Sequence, residues 1–144
     1  MRVNGYSLVE LVVMVAIAAV LAAIALPRIA HWEVFGHRAF ADELAALLRH
    51  GQKVAVAQRR AVWINATASE IRACYDAACT QAVRDPVRGG DLSLGVPDGV
   101  TLSPAPLSFF FDALGRPSSG VSLMIAGGVT QTLVIEAETG YVHG

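Results

Sequence analysis

Gly5-Tyr6-Ser7-Leu8-Val9-Glu10, followed by the uncharged run from Leu11 to Leu26, is the stretch from which the rest of the chain is read. One basic residue, Arg2, precedes it, and one carboxylate, Glu10, stands near the head of a segment otherwise suited to a membrane. Leu8 to Leu26 is about 19 residues, or roughly 28 Å at the helical rise, enough to span the hydrocarbon core of a bilayer. A carboxylate carried into such a helix costs at least about 2.5–3.5 kcal/mol on insertion scales. A chain that carries this cost needs a partner for the charge.

Two simpler readings compete. A secretory signal peptide would use Ala23-Ile24-Ala25 as its cleavage site. The apolar run, however, is longer than the roughly 7–15 residues of an ordinary signal core, and Glu10 interrupts its start. A plain single-pass anchor explains the run but gives no reason for Glu10.

The short leader ending in Gly5, the aromatic Tyr6, and Glu10 five positions after that glycine, ahead of a long apolar helix, resemble the signal of type IV pilins and type II secretion pseudopilins. The resemblance implies that prepilin peptidase cuts between Gly5 and Tyr6 and that the new N-terminus is methylated, giving N-methyl-Tyr6. It also implies that Glu10 meets the terminal amine of Tyr6 on a neighbouring subunit. That family usually has Phe at the position of Tyr6 and often Lys at that of Asn4. The implied organisation is a leader over 1–5, a transmembrane helix over 6–32 and a periplasmic head over 33–144.

Composition agrees with one domain plus an anchor. The chain has 144 residues, which is a single-domain length. Its mean hydropathy of +0.50 comes largely from the N-terminal helix, and no second apolar run approaches membrane length. A net charge of −1 argues against a general nucleic-acid binder, whose surface is basic and clustered.

Beyond Pro27, a residue that removes a helical hydrogen bond and loosens the axis, the pattern turns amphipathic. Phe40, Leu44, Leu47, Leu48, Val54 and Ala55 recur at helical spacing, with Asp42, Glu43, Arg49, Gln52, Lys53 and Arg59 opposite. A single helix from about Ser7 to Arg60 is expected, its upper half the spine of the head.

Strands are expected over 61–66 and 70–75 around a turn at 67–69, over 107–111, over 121–126 and 130–137 around Gly127-Gly128, and over 141–143. Residues 84–106, rich in Pro and Gly, read as a long loop with short strands near 92–94 and 100–102. The fold class is therefore α+β: a long N-terminal transmembrane and amphipathic helix packed on an antiparallel β-sheet head.

The head carries a second resemblance. Phe40-Ala41-Asp42-Glu43-Leu44, the run Gln52 to Arg60, and Phe111-Asp112-Ala113-Leu114-Gly115-Arg116-Pro117 are similar to the GspH/FimT family of minor pilins and pseudopilins. Cys74-Tyr75-Asp76-Ala77-Ala78-Cys79 adds a likeness to minor pilins of MSHA-type pili. In an exported compartment Cys74 and Cys79 favour a disulfide over two free thiols, and a zinc site lacks the second ligand pair.

No nucleophile–base pair and no cofactor or metal motif can be assembled, so no enzyme is expected. His31, His37, His50 and His143 fall in no ligand spacing, and Glu136 and Glu138 read as solvated residues on one strand face. Some FimT-like pilins bind DNA through basic residues after a Thr-Gly. Here Thr139-Gly140 is followed by Tyr141, Val142 and His143, and neutral groups release no counterions from phosphate.

The resulting expectation is a structural minor pilin or pseudopilin of the bacterial inner membrane, with lipid, prepilin peptidase and other pilins as partners and no nucleic acid. The alternatives are a DNA-binding or adhesive minor pilin, with the 84–106 loop as a candidate contact surface, and a plain anchored periplasmic domain.

Overall fold

The computed structural model describes residues 7–29, 32–128 and 130–144, with the side chains of residues 24–36 outside the description. The chain divides into two units, Met1–Phe35 and Gly36–Gly144. Helix is described over α1 (Leu8–Ile29) and α2 (Trp32–Gln58), and the junction of the single helix expected from Ser7 to Arg60 falls at residues 30 and 31, outside the described residues. Helix α1 continues through Pro27.

Every described side chain of α1 is exposed, including Leu8, Val13 and Leu21. Among the described residues no helix is long and apolar enough to cross a membrane. The span expected from the sequence runs to Leu26, past the last described side chain of α1.

In the second unit α2 buries the stripe anticipated from its spacing: Phe40, Leu44, Leu47, Leu48 and Ala55 are buried and Val54 packs against them. Each Leu or Phe so buried contributes about 1.5–3 kcal/mol of transfer free energy. Gly51 lies on the same stripe. A Cβ there would sit 3.2 Å from Ile64 Cδ1, so the missing side chain lets the helix approach the sheet closely. The helix ends at Gln58, two residues before the expected Arg60. Arg59 adopts a left-handed conformation (φ 53°), its N–H bonds to Val56 O (3.3 Å), and the Arg60 N–H reaches Ala55 O (3.2 Å). This is a Schellman C-cap built on arginine in place of the usual glycine.

Eight strands follow: β1 (Val62–Ala66), β2 (Glu70–Cys74), β3 (Ser93–Gly95), β4 (Thr101–Ser103), β5 (Leu107–Phe111), β6 (Val121–Ala126), β7 (Gln131–Ile135) and β8 (Val142–His143). They form two antiparallel sheets, in the orders β3-β2-β1-β5 and β4-β6-β7-β8, where one sheet was expected. The chain changes sheet three times, between β3 and β4, between β4 and β5, and between β5 and β6; the middle crossing passes through Pro104 and Pro106. Neither proline has an N–H to give a ladder, so pairing cannot run on through them.

Alternation sends Val62, Ile64 and Ala66 of β1, Phe109 and Phe111 of β5, Val121, Leu123 and Ile125 of β6, and Leu133 and Ile135 of β7 into one core with α2. On the outer face of the first sheet Trp63 and Phe110, paired across β1 and β5, bring their rings to 4.8 Å.

Candidate assembly site and head bracket

Gly5 and Tyr6, the expected cleavage and methylation positions, lie outside the described residues. Glu10 is exposed in the first turn of α1. Ser7 precedes that helix and its carbonyl accepts the Leu11 N–H at 3.2 Å. Ser7 and Glu10 thus occupy the N-cap and third helical positions, the spacing of a capping box, where the helix dipole also favours a carboxylate. The S-x-x-E pattern of Ser7 and Glu10 is the sequence signal for this helix start. It gives Glu10 a local reason to stand there, besides any partner.

The head motifs singled out in the sequence converge on Gln52. Its Nε2 donates to Gly115 O (2.9 Å) and to Thr139 O (3.0 Å), tying α2 to the 111–117 turn and to the Thr139-Gly140 corner. The turn is shaped by Asp112, whose Oδ1 accepts the N–H groups of Leu114 (2.8 Å) and Arg116 (2.9 Å). Phe111 and Pro117 close it as a bridge.

Gly140 has φ +67°, and a Cβ on it would collide with the Gly115 carbonyl. Both motifs therefore meet backbone to backbone. One turn of α2 earlier, Arg49 Nη2 donates to Val142 O (3.0 Å), fixing β8 as well. The F-x-x-x-G-R-P and Thr-Gly signals thus form a bracket that locks the C-terminal segment onto the helix.

Cys74, at the end of β2, and Cys79 bring their Cα atoms to 5.1 Å, inside the range a disulfide requires. Asp76 organises the loop between them. Its Oδ2 accepts Thr80 N–H and Oγ1 (both 3.0 Å) and its Oδ1 accepts Gln81 N–H (2.9 Å). The Thr80 N–H, and then that of Gln81, hold this carboxyl below the usual carboxylate range. Above the loop, the Arg60 guanidinium lies 4.0 Å from the centre of the Tyr75 ring, and Gln58 Nε2 donates to the Tyr75 hydroxyl (2.9 Å). Arg60 is a stacking residue just past the end of α2.

Two histidines also have partners. Gly128 donates its N–H to His37 Nδ1 (2.6 Å), pinning the β6–β7 connection to α2. His143 Nε2 lies 3.0 Å from Glu136 Oε1, and its ring stacks on Tyr141. Glu136 and Glu138 lie beyond the end of β7, in the turn before β8, and do not share a strand face as expected; the Gly140 N–H bonds back to Glu136 O there. His31 lies outside the described residues, and among those described no cluster of His, Cys, Asp or Glu could hold a metal ion.

No protein-family model and no curated protein sequence matches the chain. Solved structures do. Two crystal forms of the type IV minor pilin FimU of Pseudomonas aeruginosa (strain PAO1) superpose on it with TM-scores of 0.56 and 0.59 at 22% identity. The matches cover 74% and 77% of this chain and 90% and 89% of the FimU chains. An apolar N-terminal helix, a second helix packed on antiparallel sheets, and these superpositions show that the chain has a type IV minor pilin-like fold.

Proposed function

We propose that the chain is a structural subunit of a type IV pilus-like filament, held in the bacterial inner membrane by α1 before assembly, with the head in the periplasm. The observation that carries this reading is the exposure of the whole described face of α1. Leu8, Val9, Leu11, Val12 and Val13 are each at least half exposed. Apolar side chains as exposed as these favour cover by lipid or by neighbouring helices, and the alanines of α1 permit close helix approach. Prepilin peptidase cleaves between Gly5 and Tyr6 in this reading and methylates Tyr6. Glu10 then pairs with the Tyr6 amine of an adjacent subunit, relieving a desolvation cost that each lone charge would bear. The likeness to FimU favours a pilus over a secretion pseudopilus.

Intact mass and N-terminal fragmentation of the membrane-extracted protein test the reading. A chain beginning at N-methyl-Tyr6 is expected; a chain beginning at Leu26, or one retaining Met1-Arg2, would overturn it.

A further inference from the structure

His37 stands half-buried near the start of the head, and its ring lies on the backbone of the β6–β7 connection. A Cβ added to Gly127 would come within 2.7 Å of His37 Nδ1. Gly127 is outside the left-handed region, so its missing side chain serves close approach of the imidazole and not a special backbone shape. The next residue, Gly128, donates its N–H to the same Nδ1 at 2.6 Å.

This bond depends on the charge of the ring. A nitrogen that accepts an N–H carries no hydrogen, so the proton of the neutral ring sits on Nε2. In an imidazolium both nitrogens are donors, and no rotation of the ring restores an acceptor. Protonation would set one N–H against another. The bonded form therefore binds a proton more weakly than the open form. By linkage the bond is complete above the imidazole range and is lost as the pH falls through it. Imidazoles change charge between about pH 5 and 8.

Few charges surround the ring. The stretch from Val121 to Ile135, which holds β6, β7 and their connection, has no ionisable side chain. On β4, Thr101 pairs with Ala126 at the end of β6, so Asp98, three residues before it, is the carboxylate on that approach to the turn. On the helix Arg38 adjoins His37 and Asp42 follows five residues on, while Glu33 has its side chain outside the described residues. Among the described residues none of these forms an ion pair with His37. They set where the ring titrates, but an imidazolium cannot accept the Gly128 N–H whatever its neighbours.

We propose that His37 is a pH-operated latch. Neutral, it holds the β6–β7 tip against α2; protonated, it lets the tip go. Leu123, Ile125 and Leu133 stay in the core, so release is confined to the tip. The latch does not rest on filament assembly through α1.

The test is nuclear magnetic resonance of the full-length protein in detergent micelles, with ¹⁵N-glycine and ¹³C-histidine labels. A ring of ordinary pKa, about 6.5, is about thirty-fold more protonated than neutral at pH 5. Between about pH 7.5 and 5, Gly128 protection, corrected for the intrinsic exchange rate, should fall at least about ten-fold. Its amide should shift upfield with the same midpoint as the His37 ring. Gly51, buried in α2, should keep its protection and report an intact head. His37→Asn, which offers an amide oxygen that does not titrate, and His37→Phe, which offers no acceptor, should both abolish the Gly128 titration. A Gly128 amide that stays unchanged while the His37 ring titrates would overturn the proposal. So would a Gly128 titration that persists in either variant.

Discussion

At the residue scale the head depends on a few polar side chains that satisfy backbone groups across distant parts of the sequence. Gln52 is the clearest, since one amide nitrogen serves the carbonyls of Gly115 and Thr139. A net contribution of about 0.5–1.5 kcal/mol per bond puts Gln52→Ala at a loss of about 1–2 kcal/mol, to be read as a lower denaturant midpoint at unchanged slope. Gly140→Ala should cost more. A left-handed φ costs an L-residue about 1–2 kcal/mol, and the new methyl would also strike the Gly115 carbonyl. An unchanged midpoint in both variants would remove the bracket from the account of stability. Asp76 supplies a pH dependence. Its folded carboxyl titrates below the ordinary value of about 3.9 because it accepts the Thr80 and Gln81 N–H groups. Its contribution is therefore complete above that value and is lost as the pH falls through the lower, folded one. Protection of the Thr80 and Gln81 amides should fall in acid below about pH 4, and Asp76→Asn should flatten that dependence.

At the element scale, strand positions were legible because β1, β5, β6 and β7 are runs rich in β-branched and aromatic residues bounded by turn signals, and the stripe of α2 follows helical spacing from Phe40 to Ala55. The division into two sheets was not legible. Period-two patterning says which side of a strand is buried but not which strand is its neighbour. The prolines at 104 and 106, read as loop residues, lie at the middle of the three crossings between the sheets. The end of α2 was misplaced for a related reason. Arg59 and Arg60 are good helix formers, and no glycine announced the cap. The Schellman bonds of Arg59 and Arg60 put an arginine where φ is 53°, a conformation glycine adopts without steric cost. Arg59→Gly should therefore stabilise the head, by about 0.5–1 kcal/mol once the added flexibility of the unfolded chain is set against the relief. Thermal unfolding would show it as a higher midpoint, and a lower one would mean that the arginine side chain matters more than its backbone. Glu10 was conspicuous as a lone carboxylate, yet its capping position needed the helix start at Leu8 to be fixed first.

At the scale of the whole molecule the chain joins two parts with opposite relations to water. Among the described residues the buried apolar side chains lie between Phe40 and Val142, so the head has a core of its own. The described side chains of α1 are exposed, and they are mostly apolar. This follows from sequence, since hydropathy separates the two parts, whereas the bracket at Gln52 could be recognised only once Gly115 and Gly140 were seen to touch. A chain beginning at Gly36 should then remain soluble without detergent and unfold in one cooperative step. It should keep the near-ultraviolet circular dichroism of the Trp63–Phe110 pair on the outer face of the first sheet. The full chain under the same conditions should associate through α1 and require detergent to stay dispersed. If the shortened head loses its cooperative transition, residues before Gly36 must support the core, and the helical stripe from Phe40 onward is insufficient by itself. If instead the full chain stays monomeric in plain buffer, the exposed face of α1 has a cover within the chain, and the argument for lipid or neighbouring helices loses its physical basis.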